Sequence, residues 1–485
     1  MSLFVCLKCG EPQTPAKRAP NRCENPNCDG EGFAESPTIT SAVHGELMVE
    51  QILNDDHPRF AVWDGATVLY KDNFEYDGVT YTPVSNDLVD KKVVKFPNKA
   101  EDYGDVQTLI DDIKAHVKKY LDVSTEFYEL GAWYVLLTWV YDSLNTIPYL
   151  RALGDYGTGK SRLLDVLGGV CYKTCTVSGA VTPAPIYRII EQFKGTLIID
   201  EGDLRHSDEK NEVITILNCG FERGKPILRC QKDNPDNLQT FDAFCPKIIS
   251  SRQPFWDQAL ESRCITEPMG ETSRIDIPEV LPPEFFEEQK TLRNKLLMYR
   301  FKNLKKINST VGSKVELSEN IAPRLRQSSR AFFCMFADNL PMVARFKDYL
   351  NKYQIRLVKI REETIEGQII AEIWRCACEQ ADIRVGDIKV KNSKGNDYNS
   401  GYIGRILAGM KVERKVMRLG DETARCIVWD RERMKKIFQR YVSAYHEVVT
   451  GVTPVTSITG TKALAYTLFS DDPIPVQSTL PGVVV

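Results

Sequence analysis

One short stretch constrains the fold of this chain more than any other. Residues 154–161 read Gly-Asp-Tyr-Gly-Thr-Gly-Lys-Ser, which fits the pattern G-x-x-x-x-G-K-[ST]. A mostly apolar run, residues 149–153, precedes it, and leucines at helical spacing follow it. A strand, a Gly-rich turn and a helix in this order predict a phosphate-binding loop in an α/β fold. The alternative is a Gly-rich turn that has this pattern by chance.

The residue types of the loop suit a triphosphate. Glycines let backbone N–H groups close around phosphate oxygens, and the following helix N-terminus adds partial positive charge. Lys160 can reach the β- and γ-phosphates, and the Ser161 hydroxyl can bind Mg²⁺. The residues predicted to bind ATP here are Gly154, Asp155, Tyr156, Gly157, Thr158, Gly159, Lys160, Ser161 and Arg162.

A second motif, whose Asp200 lies 40 positions after Lys160, supplies two carboxylates. The run Gly195–Ile199 is followed by Asp200 and Glu201. Such a run predicts a buried parallel strand that delivers its acids to the carboxyl edge of the sheet. We expect Asp200 to hold Mg²⁺ through water and Glu201 to polarise the attacking water. The alternative is a strand followed by a solvated acidic turn.

Length and charge add expectations about domains and partners. A chain of 485 residues with 42% hydrophobic and 27% charged residues predicts a globular protein of two to four domains. Residues 384–440 hold fifteen Lys or Arg and seven Asp or Glu, a local charge of +8, which leaves −11 for the rest of a chain whose total is −3. A basic C-terminal module on an acidic body points to nucleic acid.

The sequence contains no segment that favours a membrane or a secretory route. The apolar start, residues 1–5, is too short for a signal peptide. Residues 130–140 are apolar, but far fewer than the ~20 that a membrane span needs. Most of the fourteen cysteines lie in apolar contexts, as reduced core thiols do. We therefore expect a cytoplasmic protein without a membrane partner.

Four cysteines near the N-terminus have a different pattern. Cys6 and Cys9 form C-x₂-C, and Cys23 and Cys28 form C-x₄-C after thirteen intervening residues. This spacing predicts a four-thiolate zinc site, and residues 1–37 hold too few apolar residues to fold without the metal. Two disulfides are the alternative, but they require an oxidising compartment that the rest of the chain does not suggest.

The remaining segments are assigned from their patterns. Residues 38–100 alternate and contain Asp-Gly turns, which predicts a small β-rich module. Residues 101–145 predict two helices that pack on the ATPase, and residues 446–485 a flexible tail. Two strand-like runs, 227–231 and 238–244, predict a hairpin with a turn-rich tip.

The run Lys247–Ser251 predicts the next core strand, and Arg263 follows a short helix. The order of phosphate loop, Asp-Glu strand, hairpin, polar-ended strand and Leu-x-Ser-Arg resembles the AAA+ ATPase superfamily. It is most similar to the branch with a hairpin before the sensor-1 strand, such as minichromosome maintenance helicases and the primase-helicase-like replication ATPases of mobile elements and plasmids. The resemblance covers roughly residues 125–445. It implies an AAA+ core at 146–283, a helical lid at 284–365 and a winged helix at 366–445.

The resemblance also implies roles for particular residues. Ser251, or alternatively Ser250, is the sensor-1 residue that helps to position water. Arg263 is the arginine finger, which reaches the ATP of a neighbouring subunit and so requires a homo-oligomer, expected to be a hexamer. Arg324 or Arg326 is the sensor-2 arginine of the lid. The alternative for Arg263 is a surface arginine in a salt bridge.

Five cations are candidates for nucleic-acid binding. The hairpin tip is expected to grip single-stranded DNA in a central pore, although Asp233 and Asp236 share this tip and a plain structural hairpin is the alternative. The recognition helix 400–410 and the basic wing strands would contact DNA, or else dock a protein. The candidates are Arg229, Lys232, Arg405, Arg414 and Lys415.

These expectations combine into one leading hypothesis and two alternatives. The leading hypothesis is an oligomeric AAA+ ATPase that uses ATP, Mg²⁺ and Zn²⁺ and acts as a replicative DNA helicase of a mobile element or small replicon. The first alternative is a replication initiator or helicase loader that binds DNA without unwinding it. The second is an AAA+ protein remodeller.

Overall fold

The computed structural model describes residues 4–6, 19–31, 33–203, 208–231, 234–379, 383–392, 395–419 and 421–445. The chain divides into two compact units. The first comprises Met1–Glu316 and Arg324–Leu340, and the second comprises Leu317–Pro323 and Pro341–Val485. Cys9, Lys232 and the predicted tail at 446–485 lie outside the described residues.

The first unit contains sixteen strands and nine α-helices within the described part of the chain. The strands are β1 Phe4–Cys6, β2 Phe33–Glu35, β3 Thr38–Ile39, β4 Ser41–His44, β5 Leu47–Asn54, β6 His57–Trp63, β7 Val68–Lys71, β8 Phe74–Tyr76, β9 Val79–Pro83, β10 Tyr149–Leu153, β11 Cys175–Ser178, β12 Leu197–Asp200, β13 Ile227–Gln231, β14 Asn234–Phe241, β15 Lys247–Ser251 and β16 Cys264–Pro268. The helices are α1 Asp87–Asp90, α2 Val106–Tyr120, α3 Thr125–Trp139, α4 Lys160–Gly168, α5 Pro183–Phe193, α6 Asp208–Cys219, α7 Gln258–Glu261, α8 Pro283–Asn303 and α9 Pro323–Met335.

A five-stranded parallel sheet organises this unit, in the spatial order β11-β12-β15-β10-β16. Leu150, Ile198 and Ile249 in its three middle strands are buried, as expected for apolar runs covered on both faces. Every neighbouring pair in the sheet is parallel, so all carboxyl ends share one edge. Because β15 lies between β10 and β12, the residues that follow these three strands come together. The predicted α/β class with a parallel sheet is thereby confirmed.

The most apolar stretch of the chain forms helix α3. Every residue from Leu130 to Trp139 is buried, and a helix that is buried all round is apolar all round. Two of its polar ring groups form hydrogen bonds: the Tyr134 hydroxyl donates to the Lys247 carbonyl at 2.8 Å and the Trp139 indole to the Val170 carbonyl at 2.9 Å. Across the described ranges no helix is both long and apolar enough to cross a membrane.

Residues 38–83 form two small sheets. Strands β4, β5, β6 and β7 are antiparallel in chain order, and β9 lies between β3 and β8 in the other sheet. Val49, Phe60, Val62 and Phe74 form their shared core. A buried carboxylate on β5 connects these sheets to the rest of the first unit.

Glu50, on β5, is 2% exposed and receives hydrogen bonds from three side chains. Arg300 Nε donates to it at 2.6 Å, Lys173 Nζ at 2.9 Å and the Tyr172 hydroxyl at 2.7 Å. Arg300 also donates twice to Asp142, at 2.7 and 2.6 Å. Burial lowers the pKa of Lys173 to about 8 even though Glu50 opposes that shift. The carboxylate therefore compensates two buried cations from distant parts of the chain.

We expect Glu50→Gln to destabilise the first unit by about 3–5 kcal/mol, because removing one partner of a buried ion network leaves uncompensated charge. Thermal and urea unfolding followed by tryptophan fluorescence would measure the loss. Glu46→Gln is the matched control, since Glu46 pairs with Lys305 at 3.1 Å while 86% of its side chain is exposed, and it should change little. Equal unfolding midpoints for the two variants would show that the network does not stabilise the unit.

In its described residues, the second unit combines helices with one hairpin. Its helices are α10 Leu340–Glu362, α11 Ile365–Glu379, α12 Ser400–Gly409 and α13 Arg431–Tyr441, and its antiparallel strands are β17 Arg414–Leu419 and β18 Glu422–Ile427. Ile373, Leu407 and Phe438, from three of the helices, share one buried core. The predicted lid segment, 284–365, contributes α8 and α9 to the first unit and most of α10 to the second.

Candidate nucleotide site

The Gly-rich loop between β10 and α4 has the backbone that its glycines permit. Gly157 and Gly159 have φ values of +73° and +81°, a region that side chains with a Cβ rarely adopt. At Gly154 a Cβ would come within 2.4 Å of the Met269 carbonyl oxygen. Helix α4 begins at Lys160, so its unpaired N–H groups point toward the loop.

The polar side chains of the loop are ordered by the Asp155 backbone. The Thr158 hydroxyl donates to the Asp155 carbonyl at 2.8 Å, and Lys160 Nζ donates to the same oxygen at 2.5 Å. Lys160 thus lies folded across its own loop, and its ammonium group is within a short movement of any phosphate held there. Tyr156 forms the exposed tip, with 72% of its surface accessible.

The acidic pair after β12 meets the loop at the carboxyl edge of the sheet. Ser161 Oγ donates to Asp200 Oδ2 at 3.1 Å, which joins the start of α4 to the end of β12. Ser250 Oγ donates to Asp200 Oδ1 at 2.6 Å and accepts from the Glu201 N–H at 2.8 Å. The hydroxyl and carboxylate expected to bind Mg²⁺ are therefore adjacent.

Glu201 has an uncommon backbone conformation. Its φ is +55°, a left-handed conformation that costs a non-glycine residue about 1–2 kcal/mol. The turn is tight on both sides, since a Cβ on Gly179 would overlap the Glu201 carbonyl and the Gly202 N–H donates to the Ser250 carbonyl at 2.7 Å. Strain of this kind concentrates at functional sites, and the Glu201 side chain is exposed here.

The two candidate sensor-1 residues have different surroundings. Ser250 contacts Asp200 and Glu201, as described above. Ser251 is 1% exposed, and its hydroxyl has no hydrogen-bond partner among the residues that the structure describes. Its carbonyl accepts from the Gly154 N–H at 3.2 Å, so it borders the phosphate loop. Both serines end the strand between the loop and the acidic pair.

Arg252 belongs to this site, although the sequence did not indicate it. Its guanidinium lies 4.8 Å from the centre of the Tyr156 ring and donates to the Tyr156 hydroxyl. It also forms an ion pair with Asp203, whose other oxygen accepts from the Arg252 N–H at 2.8 Å. No sequence motif indicates this residue, because its contacts depend on how the ends of β10, β12 and β15 meet.

Arg263 lies at the opposite edge of the sheet. Its carbonyl accepts from the Tyr149 N–H at 3.0 Å, at the start of β10. The phosphate loop begins at the other end of this five-residue strand, roughly 15 Å away at ~3.3 Å per residue. Arg263 therefore cannot reach a phosphate bound to the loop of its own chain.

Arg324 lies beside Arg263 rather than beside the phosphate loop. The two guanidinium groups lie 5.4 and 5.7 Å from the centre of the Phe221 ring. Burial, and then the nearby charge of Arg324, lowers the pKa of Arg263. Asp257 lies close enough to Arg263 to oppose part of this lowering of its pKa. Arg326 instead lies near Arg330, whose pKa burial and Arg326 together lower.

A buried ion pair fixes the helix that carries Arg263. Arg151, on β10, is 2% exposed and donates to Glu261 at 2.5 and 2.6 Å. Glu261 also accepts from the Phe255 N–H at 2.8 Å. The strand that leads into the phosphate loop is thus joined to the helix that ends two residues before Arg263.

Arg162, which is predicted to bind ATP, donates to the carbonyls of Pro278 and Glu279, so it contacts the segment after β16.

The predicted DNA-contacting cations differ in whether other residues of the chain contact them. Arg229, in the β13–β14 hairpin, forms an ion pair with Glu212 and lies 4.5 Å from the Tyr187 ring centre, so it packs against α5 and α6. In the second unit, Arg414 donates to the Gly404 carbonyl. Arg405 and Lys415 are exposed.

Three of the four N-terminal cysteines converge. Sulfur atoms of Cys6, Cys23 and Cys28 all lie within 4.8 Å of one another, and those of Cys6 and Cys28 are 3.8 Å apart. Tetrahedral zinc with Zn–S bonds of about 2.3 Å places its sulfurs about 3.8 Å apart. The antiparallel pair β1–β2 and the Cys23 N–H, which donates to the Gly30 carbonyl at 2.9 Å, shape this segment. The three thiols therefore fit a zinc site.

We expect purified protein to contain about one zinc per chain, and Cys23→Ser to remove most of it. Metal analysis and the release of zinc by a thiol-blocking reagent would measure both. Cys230→Ser is the control, because Cys230 is an exposed thiol in the β13–β14 hairpin and should leave the zinc content unchanged. Full zinc content in Cys23→Ser would exclude this site.

Comparisons with known proteins do not identify the function of this chain, so its function has to be inferred from its own residues. No family model matches it, and no curated protein matches it in sequence. Similar solved structures include two described as the A-form apo structure of the NrS-1 C-terminal region. One has a TM-score of 0.38 and 14% identity and covers 79% of this chain and 97% of that chain. The other has a TM-score of 0.36 and 12% identity and covers 79% and 96%.

Proposed function

We propose that this protein hydrolyses ATP as an oligomeric AAA+ motor acting on DNA, as a replicative helicase does. One observation carries the proposal: Ser161 and Ser250 both donate to Asp200, and the Glu201 N–H donates to Ser250, at the sheet edge where the Gly-rich loop leads into α4. A phosphate cradle, a magnesium-binding hydroxyl and carboxylate, and a second carboxylate at one point are the parts that phosphoryl transfer to water requires.

Each side chain has a distinct role in this reaction. The loop N–H groups and Lys160 hold the β- and γ-phosphates, and Glu201 orients the attacking water and takes its proton. A serine hydroxyl at the end of β15 positions that water. Mg²⁺ held by Ser161, and by Asp200 directly or through water, would neutralise charge on the phosphate oxygens. The fit of this pair is supported by the 3.1 Å contact between their oxygens.

The position of Arg263 supports an oligomeric enzyme. Because it lies at the amino edge of the sheet, it is useful to catalysis only if a neighbouring subunit presents its carboxyl edge there. Repeating such a head-to-tail contact closes a ring when the rotation allows, and a hexamer is the ring that we propose. Arg324, beside Arg263, would add a second cation to the same phosphate.

Three features support DNA as the partner and the AAA+ superfamily as the family. The serine-ended strand lies between the loop strand and the acidic strand, and a hairpin precedes β15 in the chain, which supports the resemblance of the motifs to that superfamily. The local charge of +8 over residues 384–440 adds the electrostatic attraction that phosphate backbones need. The packing of the second-unit helices around a hairpin is compatible with a winged helix.

A strand-displacement assay on a forked DNA duplex tests the proposal, with Glu201→Gln as the inactive comparison. Unwinding by the wild type alone is the expected result. ATPase activity that DNA stimulates without displacement would favour the initiator or loader, and activity indifferent to DNA would leave the protein remodeller. The absence of ATPase activity from the wild type would overturn the proposal at its base.

A further inference from the structure

Arg252 has no role in the reaction as described above, although it lies at the nucleotide site. It follows Ser251 directly at the carboxyl end of β15, and its guanidinium lies against the tip of the phosphate loop through Tyr156. Its side chain is 31% exposed, so it borders the open side of the site rather than the core. Nη2 has no hydrogen-bond partner within the described ranges, while Nε and Nη1 contact Asp203 and Tyr156.

We propose that Arg252 binds the γ-phosphate of ATP held by its own chain and gives the site a preference for ATP over ADP. This inference rests on the proposed function, because it assumes that the Gly-rich loop holds a nucleotide. The guanidinium is planar and matches two phosphate oxygens at once. It would approach from the β15 side, whereas Lys160 approaches from the loop.

The contacts of Arg252 explain how it could change partners at little cost. Asp203 is held at one oxygen by the Arg252 guanidinium and at the other by the Arg252 N–H, at 2.8 Å. When the guanidinium turns to a phosphate, the N–H bond still anchors the carboxylate, which is 15% exposed. The γ-phosphate carries more negative charge than a carboxylate, and so it competes favourably for the same cation. ADP lacks this group and leaves the pair with Asp203 intact.

Equilibrium binding of ADP and of a non-hydrolysable ATP analogue, both with Mg²⁺, separates this role from a structural one. We expect Arg252→Ala to weaken binding of the ATP analogue by about 10- to 100-fold, since it removes hydrogen bonds to a charged group. ADP affinity should stay within about twofold, because that nucleotide has no γ-phosphate to lose a contact. Asp203→Asn should retain the preference for the ATP analogue.

Arg59→Ala is the matched control. Arg59 pairs with Asp72 at 2.6 Å and is 32% exposed, but it lies on β6 in the small sheets, and neither affinity should change. Equal weakening of both nucleotides by Arg252→Ala would overturn the proposal, since it would indicate a brace for the loop. An equal loss of preference in Asp203→Asn would overturn it as well. A wild type that binds ATP and ADP equally would overturn this inference alone, whereas one that binds neither would overturn the proposed function too.

Discussion

Glu201→Gln should stop ATP hydrolysis and leave ATP binding intact. The amide keeps the size and most of the hydrogen-bonding capacity of the side chain but cannot accept a proton from water, so we expect the turnover number to fall about 10²- to 10⁴-fold. The left-handed φ of +55° belongs to the backbone and should be retained in the variant. Phosphate release measures the rate, and fluorescent-nucleotide titration measures binding.

Two comparisons make this result specific to a general base. Glu191→Gln alters an exposed carboxylate on α5 and should keep the wild-type rate. Lys160→Ala should lose ATP binding as well as hydrolysis, because Lys160 is assigned to the phosphates. If Glu201→Gln hydrolysed ATP at the wild-type rate, the acidic pair would have to be interpreted as a solvated turn and another base sought.

The sequence was sufficient to predict the parts of this site that depend on neighbouring residues. The Gly-rich loop, the strand that ends in Asp200 and the strand that ends in the two serines all lie where apolar runs and turn residues predicted them. These elements are local, since a few residues decide whether a strand ends or a helix begins. The α/β class follows from their order along the chain.

Features that depend on packing between distant segments could not be predicted. In the sequence, Glu50 is one acidic residue in a strand of alternating polarity. In the structure it forms ion pairs with Lys173 and Arg300, which are more than one hundred positions away. The contact between Arg252 and Tyr156 arises only because β15 lies next to β10 in the sheet. Glu201 has a left-handed backbone that its residue type disfavours. Tertiary contacts decide such positions, and no single-sequence pattern records them.

The choice between the two candidate sensor-2 arginines also could not be made from the sequence. Arg324 and Arg326 are equivalent in sequence, two positions apart at the start of one helix. The structure distinguishes them, because Arg324 and Arg263 lie on the same Phe221 ring while Arg326 lies near Arg330. Arg324 therefore lies beside the proposed arginine finger, whereas Arg326 lies beside Arg330.

Arg263→Ala should abolish hydrolysis in an assembly while each subunit still binds ATP. A guanidinium supplied from a neighbour stabilises charge on the transferred phosphoryl group and is worth about 10³- to 10⁵-fold in rate. Since Arg263 lies roughly 15 Å from the loop of its own chain, its loss should not weaken nucleotide binding to isolated subunits. Arg263→Lys keeps the charge without the planar fork and should give an intermediate rate.

Mixing two inactive variants tests whether this arginine acts between subunits. Arg263→Ala retains the phosphate loop, and Lys160→Ala retains the arginine, so a mixed head-to-tail assembly contains interfaces with both groups. Random equal mixing should restore activity at about a quarter of the interfaces. No recovery in assemblies shown to be mixed would mean that Arg263 is a surface arginine and that the site is complete within one chain. Recovery would establish that each chain completes the catalytic site of its neighbour.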